Sequence, residues 1–281
     1  MKPTLLIIGA SSVVAQAVIP RLRKDYTIIT AGRQECDVKC DVGEGVSIAK
    51  AVDAVVNFAA SFGGADGLDA VEAARVNVLG VARICEAARK AETTQVVLIS
   101  SIFAALPEDD PQFSLYALTK RQGDELAAAY CRRIGVSLAV LRLARVYGDT
   151  DVFRKGQPFL YSLVDKAQAG DDVTLYGDHD VRRSYIHAAD VAEIICRVIE
   201  EKISGSFNCL CLPEETYGSI YKAAQKAFGC GGRLAFLRDR PSPPDDVVPY
   251  SSALYEKIGH TPQISMETGM KRIKQYRQET R

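Results

Sequence analysis

The sequence predicts an α/β fold, a doubly wound parallel sheet covered by helices on both faces, with a smaller lobe after it. Three observations predict it. Short runs of Val, Ile and Leu recur with little polar alternation, as strands buried on both faces require. Segments of helical spacing separate most of these runs, the alternation that builds a parallel sheet through helical crossovers. After Tyr147 the alternation breaks, and shorter, turn-rich segments take over.

Thr4–Ile8 reads as the first strand and Val13–Leu22 as the helix behind it. Further strands are expected at 26–31, 54–58, 95–100 and Ser137–Leu143, with the longest helices at 70–91 and 116–134. Beyond Tyr147 come two helices, short strands, the turn Arg240-Pro241-Ser242-Pro243-Pro244-Asp245-Asp246 and a last helix near 266–276. The expected division is a sheet domain over 1–149, rejoined by 184–205, and a lobe over 150–183 and 206–281 packed on the carboxyl ends of the strands.

The 281 residues, 47% hydrophobic and 25% charged, match an ordinary globular chain of one large domain or two interlocked ones. Thirty-five basic and 35 acidic residues cancel, which argues against a general nucleic-acid surface. No apolar run is long enough to span a membrane. Eight cysteines are spread from Cys36 to Cys230 without a disulfide or zinc pattern. They read as reduced thiols of a cytoplasmic protein, and no metal site is expected. Lys2 and the apolar run 5–19 have the outline of a secretory leader, but Gly9-Ala10-Ser11-Ser12 interrupts it. Strand, turn and helix is the better reading.

Ligands of open α/β sheets bind outside the carboxyl ends of the strands. The turn Gly9-Ala10-Ser11-Ser12-Val13-Val14-Ala15 stands where a dinucleotide pyrophosphate rests on a helix N-terminus. Only Gly9 of the usual three glycines remains; Ser12 holds the close-approach position and Ala15 the helix-packing one. A serine hydroxyl can itself donate to a phosphate. The second strand ends in Ala31-Gly32-Arg33 with no carboxylate, and an arginine there accommodates a ribose 2′-phosphate, so NADP is favoured over NAD. A solvated surface arginine is the bland alternative. Asp41 and Val42 suit a contact with the adenine.

Tyr116-Ala117-Leu118-Thr119-Lys120 carries the chemistry. Residues four apart share a helix face, so the Lys120 ammonium can approach the Tyr116 phenol and favour its ionised form. Such a tyrosine exchanges a proton with an alcohol or carbonyl.

With these motifs the chain resembles the extended short-chain dehydrogenase/reductases, the NAD-dependent epimerase/dehydratase type acting on sugar nucleotides. Asn57-Phe58-Ala59-Ala60 is similar to the family's "H/N-x-A-A" segment and Asn77-Val78-Leu79-Gly80 to its "N-V-x-G" helix. Ser100-Ser101 closes the next strand, ahead of Tyr116 and Lys120. Leu141-Arg142-Leu143-Ala144-Arg145-Val146-Tyr147-Gly148 resembles "L-R-x-x-N-V-Y-G". The run from Arg183 to Ala192 resembles "R-D-Y-I-H-V-x-D-V-A", and Gly205-Ser206-Phe207-Asn208 "G-x-x-Y-N".

The resemblance implies a Rossmann-type sheet domain and a substrate-binding lobe. It implies that Ser101 hydrogen-bonds the reacting oxygen, Tyr116 is the general acid/base, and Lys120 holds the nicotinamide ribose while lowering the tyrosine pKa. Gly9, Ser11, Ser12, Val13, Arg33, Asp41, Val42, Phe58, Ala59, Ala60 and Leu143 fall at cofactor positions, with Tyr116 and Lys120. Arg145, Arg183 and Arg240 fall at substrate positions, the last two toward a diphosphate; a surface salt bridge is the bland reading of Arg183 and Arg240. His187 reads as structural. The chain departs from the family where Arg145 replaces a common Asn, where Ile102-Phe103-Ala104-Ala105-Leu106 follows the serine strand, and in its short Ser101–Tyr116 link.

Ile102 and Phe103 stand where the 4,6-dehydratases of the family carry an Asp-Glu pair and the 3,5-epimerising reductases a nearby Cys. Neither side chain transfers protons, so both reactions drop out. What remains is an NADP-dependent reductase of a nucleotide-linked 4-keto-deoxysugar, as in surface-polysaccharide pathways, or a nucleotide-sugar 4-epimerase that retains NAD. A dinucleotide-binding sensor or scaffold without turnover is the alternative from another class. The expected partners are a nucleotide sugar and, through the helices at 70–91 and 116–134, a second copy in a homodimer. The apolar faces of those helices equally suit ordinary core packing.

Overall fold

The structure is a computed structural model that describes residues 2–48 and 52–280. In chain order it runs β1 (Thr4–Ile8), α1 (Val13–Leu22), β2 (Thr27–Gly32), β3 (Val38–Lys39) and β4 (Ala54–Asn57). Next come α2 (Ala70–Ala74), a π-helical turn at Arg75–Leu79, α3 (Gly80–Lys90), β5 (Gln95–Ser101) and a 3₁₀ turn at Ile102–Ala105. Then follow α4 (Leu115–Ile134), β6 (Ser137–Leu143), β7 (Arg145–Tyr147), α5 (Pro158–Ala169) and β8 (Val173–Tyr176). The chain continues through β9 (Arg182–Arg183), β10 (Tyr185–His187), α6 (Ala188–Glu200), β11 (Gly205–Cys209) and β12 (Glu215–Thr216). It closes with α7 (Tyr217–Phe228), β13 (Leu234–Leu237), α8 (Ala253–Ile258) and α9 (Met266–Glu279).

The chain divides into two compact units. The first holds the residues up to Leu143 with Val191–Cys209 and Val248–His260; the second holds Ala144–Asp190, Leu210–Val247 and the residues from Thr261 on.

The first unit is built on a seven-stranded sheet in the order β11-β6-β5-β4-β1-β2-β3. Every neighbouring pair is parallel, so each connection must cross over a face, and the expected doubly wound Rossmann-type fold is what forms. Leu5, Ile7, Val55, Val56, Val96, Val97, Val140 and Leu141 are fully buried, which accounts for the missing polar alternation. The order reverses between β1 and β4, and the turns after these two strands lie side by side: an added Cβ on Gly9 would stand 2.5 Å from the Ala59 nitrogen.

Two strands escape the hydrophobic pattern. Val38–Lys39 is a two-residue edge strand with both side chains exposed. Gly205–Cys209, of which residues 206 onward were expected in the lobe, pairs with β6 and belongs to the sheet. Its sequence, Gly-Ser-Phe-Asn-Cys, is half polar because it forms the other edge. The helix expected over 70–91 is also broken, by the π turn around the buried Asn77.

The second unit has three two-stranded pairings: β7 with β10 and β8 with β13, both parallel, and β9 with β12, antiparallel. Its core includes Leu160, Tyr161 and Val164 of α5, Ile220, Tyr221 and Ala224 of α7, and Met270 and Ile273 of α9. His187 of β10 is buried in it. Its Nδ1 faces the Ala189 N–H at 3.1 Å, and its Nε2 pairs with Asp149 at 2.9 Å. Arg272 clamps the same carboxylate from α9 with two bonds of 2.7 and 2.8 Å. No helix among the described residues is long and apolar enough to cross a membrane.

Candidate active site

The first unit brings the cofactor turn together from two strand ends. Gly9 adopts φ +74°, a left-handed conformation that favours glycine, and its missing Cβ admits the backbone of Phe58 and Ala59. Asn57 shapes that second loop by accepting the Ala59 N–H at 3.0 Å. Ser12 caps α1, its Oγ accepting from the Ala15 N–H at 3.1 Å. A capping hydroxyl uses a lone pair, so its hydrogen stays available to a phosphate. Ala15 is fully buried, as its helix-packing position requires. A cradle that a Cβ would fill, at a helix N-terminus carrying a hydroxyl donor, fits a dinucleotide pyrophosphate. Ser11 is exposed and Val13 half-buried beside it, while Leu143 is buried at the end of β6.

Arg33 is exposed in the bend after β2, close enough to Asp41 to help hold that carboxyl below the usual range. The larger influence on Asp41 is Arg75, which grips it with bonds of 3.0 and 3.3 Å; the Gly43 N–H supplies a third, at 2.8 Å. The carboxylate expected to meet an adenine is thus already engaged within the protein. Val42 is buried against Gly80, where an added Cβ would come within 2.7 Å of its side chain.

Ser101, Tyr116 and Lys120 converge, because β5 ends beside the first turns of α4. Ser114 caps that helix by accepting the Ala117 N–H. Ser101 lies near enough to the Tyr116 phenol to pull its pKa down, and the Ser101 Oγ accepts the Phe103 N–H at 3.3 Å. Lys120, 4% exposed, sends its ammonium to the Ile99 carbonyl at 2.8 Å.

The phenol departs from expectation. Burial pushes the Tyr116 pKa up to about 12, against a downward pull from Ser101 and with a small upward push from Asp124. Lys120 is not among the groups that move it. Burial likewise lowers the Lys120 pKa, and Asp124 opposes that shift.

Asp124 was not singled out from the sequence, although it lies one helical turn beyond Lys120 on the same face. It is buried, and its carboxylate accepts from the Ser100 hydroxyl and the Arg142 Nε, each at 2.9 Å. Burial raises its pKa while Lys120, Arg142 and Ser100 lower it. Asn77 was noted only as part of a motif. It ties α4 to the loop after β4, its amide donating to Thr119 Oγ1 at 3.0 Å and to the Ser61 carbonyl at 2.7 Å.

The second unit holds the other expected residues. Arg145 grips Asp246 with two bonds of 3.0 Å, and Asp246 also accepts the Ser184 N–H. Arg183 is buried beside the same carboxylate at 3.6 Å. Its Nη1 donates to the Pro244 and Arg182 carbonyls at 2.6 and 3.0 Å, and its Nε donates to Tyr217 Oη at 2.7 Å. Arg240 is exposed in the turn after β13, its backbone N–H bonded to the Leu237 carbonyl. Asp246, which joins the first two arginines, carried no signal beyond its place in a proline-rich turn.

Known proteins agree with this architecture. A dTDP-4-dehydro-6-deoxy-D-allose reductase of a Streptomyces species is 28% identical over 247 residues, 82% of this chain and 74% of its own. A putative UDP-glucose 4-epimerase of Methanocaldococcus jannaschii is 27% identical over 210 residues, 70% of this chain and 68% of its own. Among solved structures, the UDP-glucuronic acid 4-epimerase of Bacillus cereus, in complex with UDP-glucuronic acid and NAD, superposes with a TM-score of 0.77. It is 18% identical, with 99% of this chain and 100% of that one covered. The family model for the NAD dependent epimerase/dehydratase family matches residues 5–209, most of the chain. The chain therefore belongs to the NAD-dependent epimerase/dehydratase family, enzymes of the extended short-chain dehydrogenase/reductase type.

Proposed function

We propose that this protein is an NADPH-dependent reductase of a nucleotide-linked 4-keto-deoxysugar. The observation that carries the reading is that Ser101 and Tyr116 come together while apolar Ile102 and Phe103 directly follow Ser101. Such a site moves one proton and lacks the extra acid and base that water elimination needs. The similarity to the Streptomyces reductase supports the same substrate class.

The bound nicotinamide supplies the hydride. Gly9, Ser11, Ser12 and Val13 would hold its pyrophosphate, Arg33 the 2′-phosphate, and Phe58, Ala59, Ala60 and Leu143 the strand-end walls. Val42 would pack near the adenine, with Asp41 reaching it only if Arg75 yields. Ser101 donates a hydrogen bond to the substrate carbonyl oxygen and polarises it. Tyr116, with its pKa near 12, keeps its proton at neutral pH and can give it to the alkoxide that forms on that oxygen. Lys120 anchors the nicotinamide ribose. Of the three arginines expected at substrate positions, Arg145 and Arg183 are engaged by Asp246, which leaves the exposed Arg240 as the candidate for a diphosphate.

The test is a fluorescence titration with NADPH and NADH, followed by turnover of nucleotide 4-keto-deoxysugars. Tighter binding of NADPH, lost in Arg33→Ala, together with ketone reduction, is the expected result. Copurified NAD, or a preference for NADH, would transfer the assignment to a 4-epimerase. Failure to bind either dinucleotide would overturn both.

A further inference from the structure

The loop after β4 carries a largely exposed aromatic side chain. Phe62 is 66% exposed, yet its ring stacks on Tyr116 with centroids 4.5 Å apart and planes 22° from parallel. Its backbone is tightly anchored. Asn77 takes both main-chain groups of the preceding Ser61, accepting its N–H at 2.9 Å and donating to its carbonyl at 2.7 Å. Ser61 Oγ then accepts the Gly63 N–H, and the loop closes where the Asp69 N–H meets the Gly63 carbonyl at 2.8 Å. Gly63, Gly64 and Gly67 all have positive φ, so the loop after Phe62 is a shaped turn. Asn77 also bonds Thr119, between Tyr116 and Lys120, so the loop and the proton-donating helix share one buried fastening.

We propose that Phe62 is a positioning residue for proton transfer: seated on one face of Tyr116, it fixes the plane of the phenol and keeps water off that face. The proposal rests on the reading of Tyr116 as the proton donor. Ser101 lies near the phenol, and Phe62 sets how the ring lies. Neither replaces the other, because a group beside the oxygen does not fix the tilt of the ring. Stacked rings attract beyond their buried area, and small misplacements of a reacting group are costly in rate.

The phenol's surroundings define the pH behaviour. Ser101 faces it from the end of β5, Asp124 acts from its own helix, and Lys120 lies one turn further along. Covering the ring face adds to the burial that raises the phenol pKa, so uncovering it lowers that pKa.

The experiment compares Phe62→Ala, Phe62→Leu and Phe62→Tyr. With a 4-keto sugar nucleotide, the Ala and Leu variants should lose about tenfold in kcat, with the NADPH affinity and the substrate KM unchanged, while Tyr restores kcat to within about twofold. In parallel, ¹³C-tyrosine NMR from about pH 7 to about pH 11 follows the Tyr116 resonance, identified by its loss in Tyr116→Phe. That phenol should stay protonated across the range in the unmodified protein and begin to ionise within it in Phe62→Ala. An Ala variant with unchanged kcat and titration would overturn the proposal, as would Tyr and Ala variants that fall alike. The titration needs no substrate. If no keto sugar is turned over, the reductase reading fails and the titration alone decides about Phe62.

Discussion

Tyr116 is held with its proton on. The expectation from spacing was a cation one turn away that lowers the phenol pKa; instead the Lys120 ammonium turns to the Ile99 carbonyl, and burial sets the value near 12. Spacing places two side chains on one face but does not say what else is buried with them, which is why Asp124 and Phe62 stayed unseen. Replacing Tyr116 by Phe removes the proton and keeps the ring, so turnover should fall by about 10²- to 10⁴-fold while dinucleotide affinity holds. Steady-state kinetics beside a binding titration checks both halves. Equal loss of binding and turnover would mean that the phenol holds the cofactor and moves no proton.

At the scale of elements, the central strands and their helices were legible because burial on both faces leaves a plain apolar signature. The edges were not: β3 is two exposed residues and β11 is half polar. The π turn within the 70–91 helix was not read from the sequence either, since the chain stays helical on both sides of it. The serine in place of a glycine at the first turn has a structural use, because Ser12 closes the N-terminus of α1. Ser12→Ala should therefore cost about 1 kcal/mol in urea unfolding. It should also weaken NADPH binding, whereas Ser12→Gly, which tolerates the cap position and permits close approach, should cost only a few tenths of a kcal/mol. Gly9→Ala should abolish dinucleotide binding, since its Cβ would enter the Ala59 backbone.

At the scale of the whole molecule, the second unit relies on carboxylates that hydrogen bonds and arginines hold, the half-buried Asp149 and the buried Asp246. Burial alone would raise the Asp149 pKa, but hydrogen bonds from His187 and Arg272 carry it below the usual carboxylate range. A carboxyl depressed on folding stabilises fully above its unfolded pKa of about 3.9 and loses that contribution as pH falls through the folded value. Acid unfolding should thus steepen below about pH 4, and Asp149→Asn should flatten that part of the stability curve. Asp246→Ala, which strands Arg145 and Arg183, should cost about 3 kcal/mol or more in chemical denaturation. The first unit depends on chain order as well, because its sheet is completed by late segments. The open edge of β6 is covered by β11, and Asn208 of that strand donates to the Pro249 carbonyl. A ribosome that has released only the first 143 residues presents a bare apolar strand edge, of the kind on which nascent chains stick to one another. That edge waits until 144–204 have been translated before β11 even begins, and for 248–260 before the unit is complete. Deletions from the C-terminus should therefore be felt as poor yield from the first unit, long before they reach a residue that does chemistry.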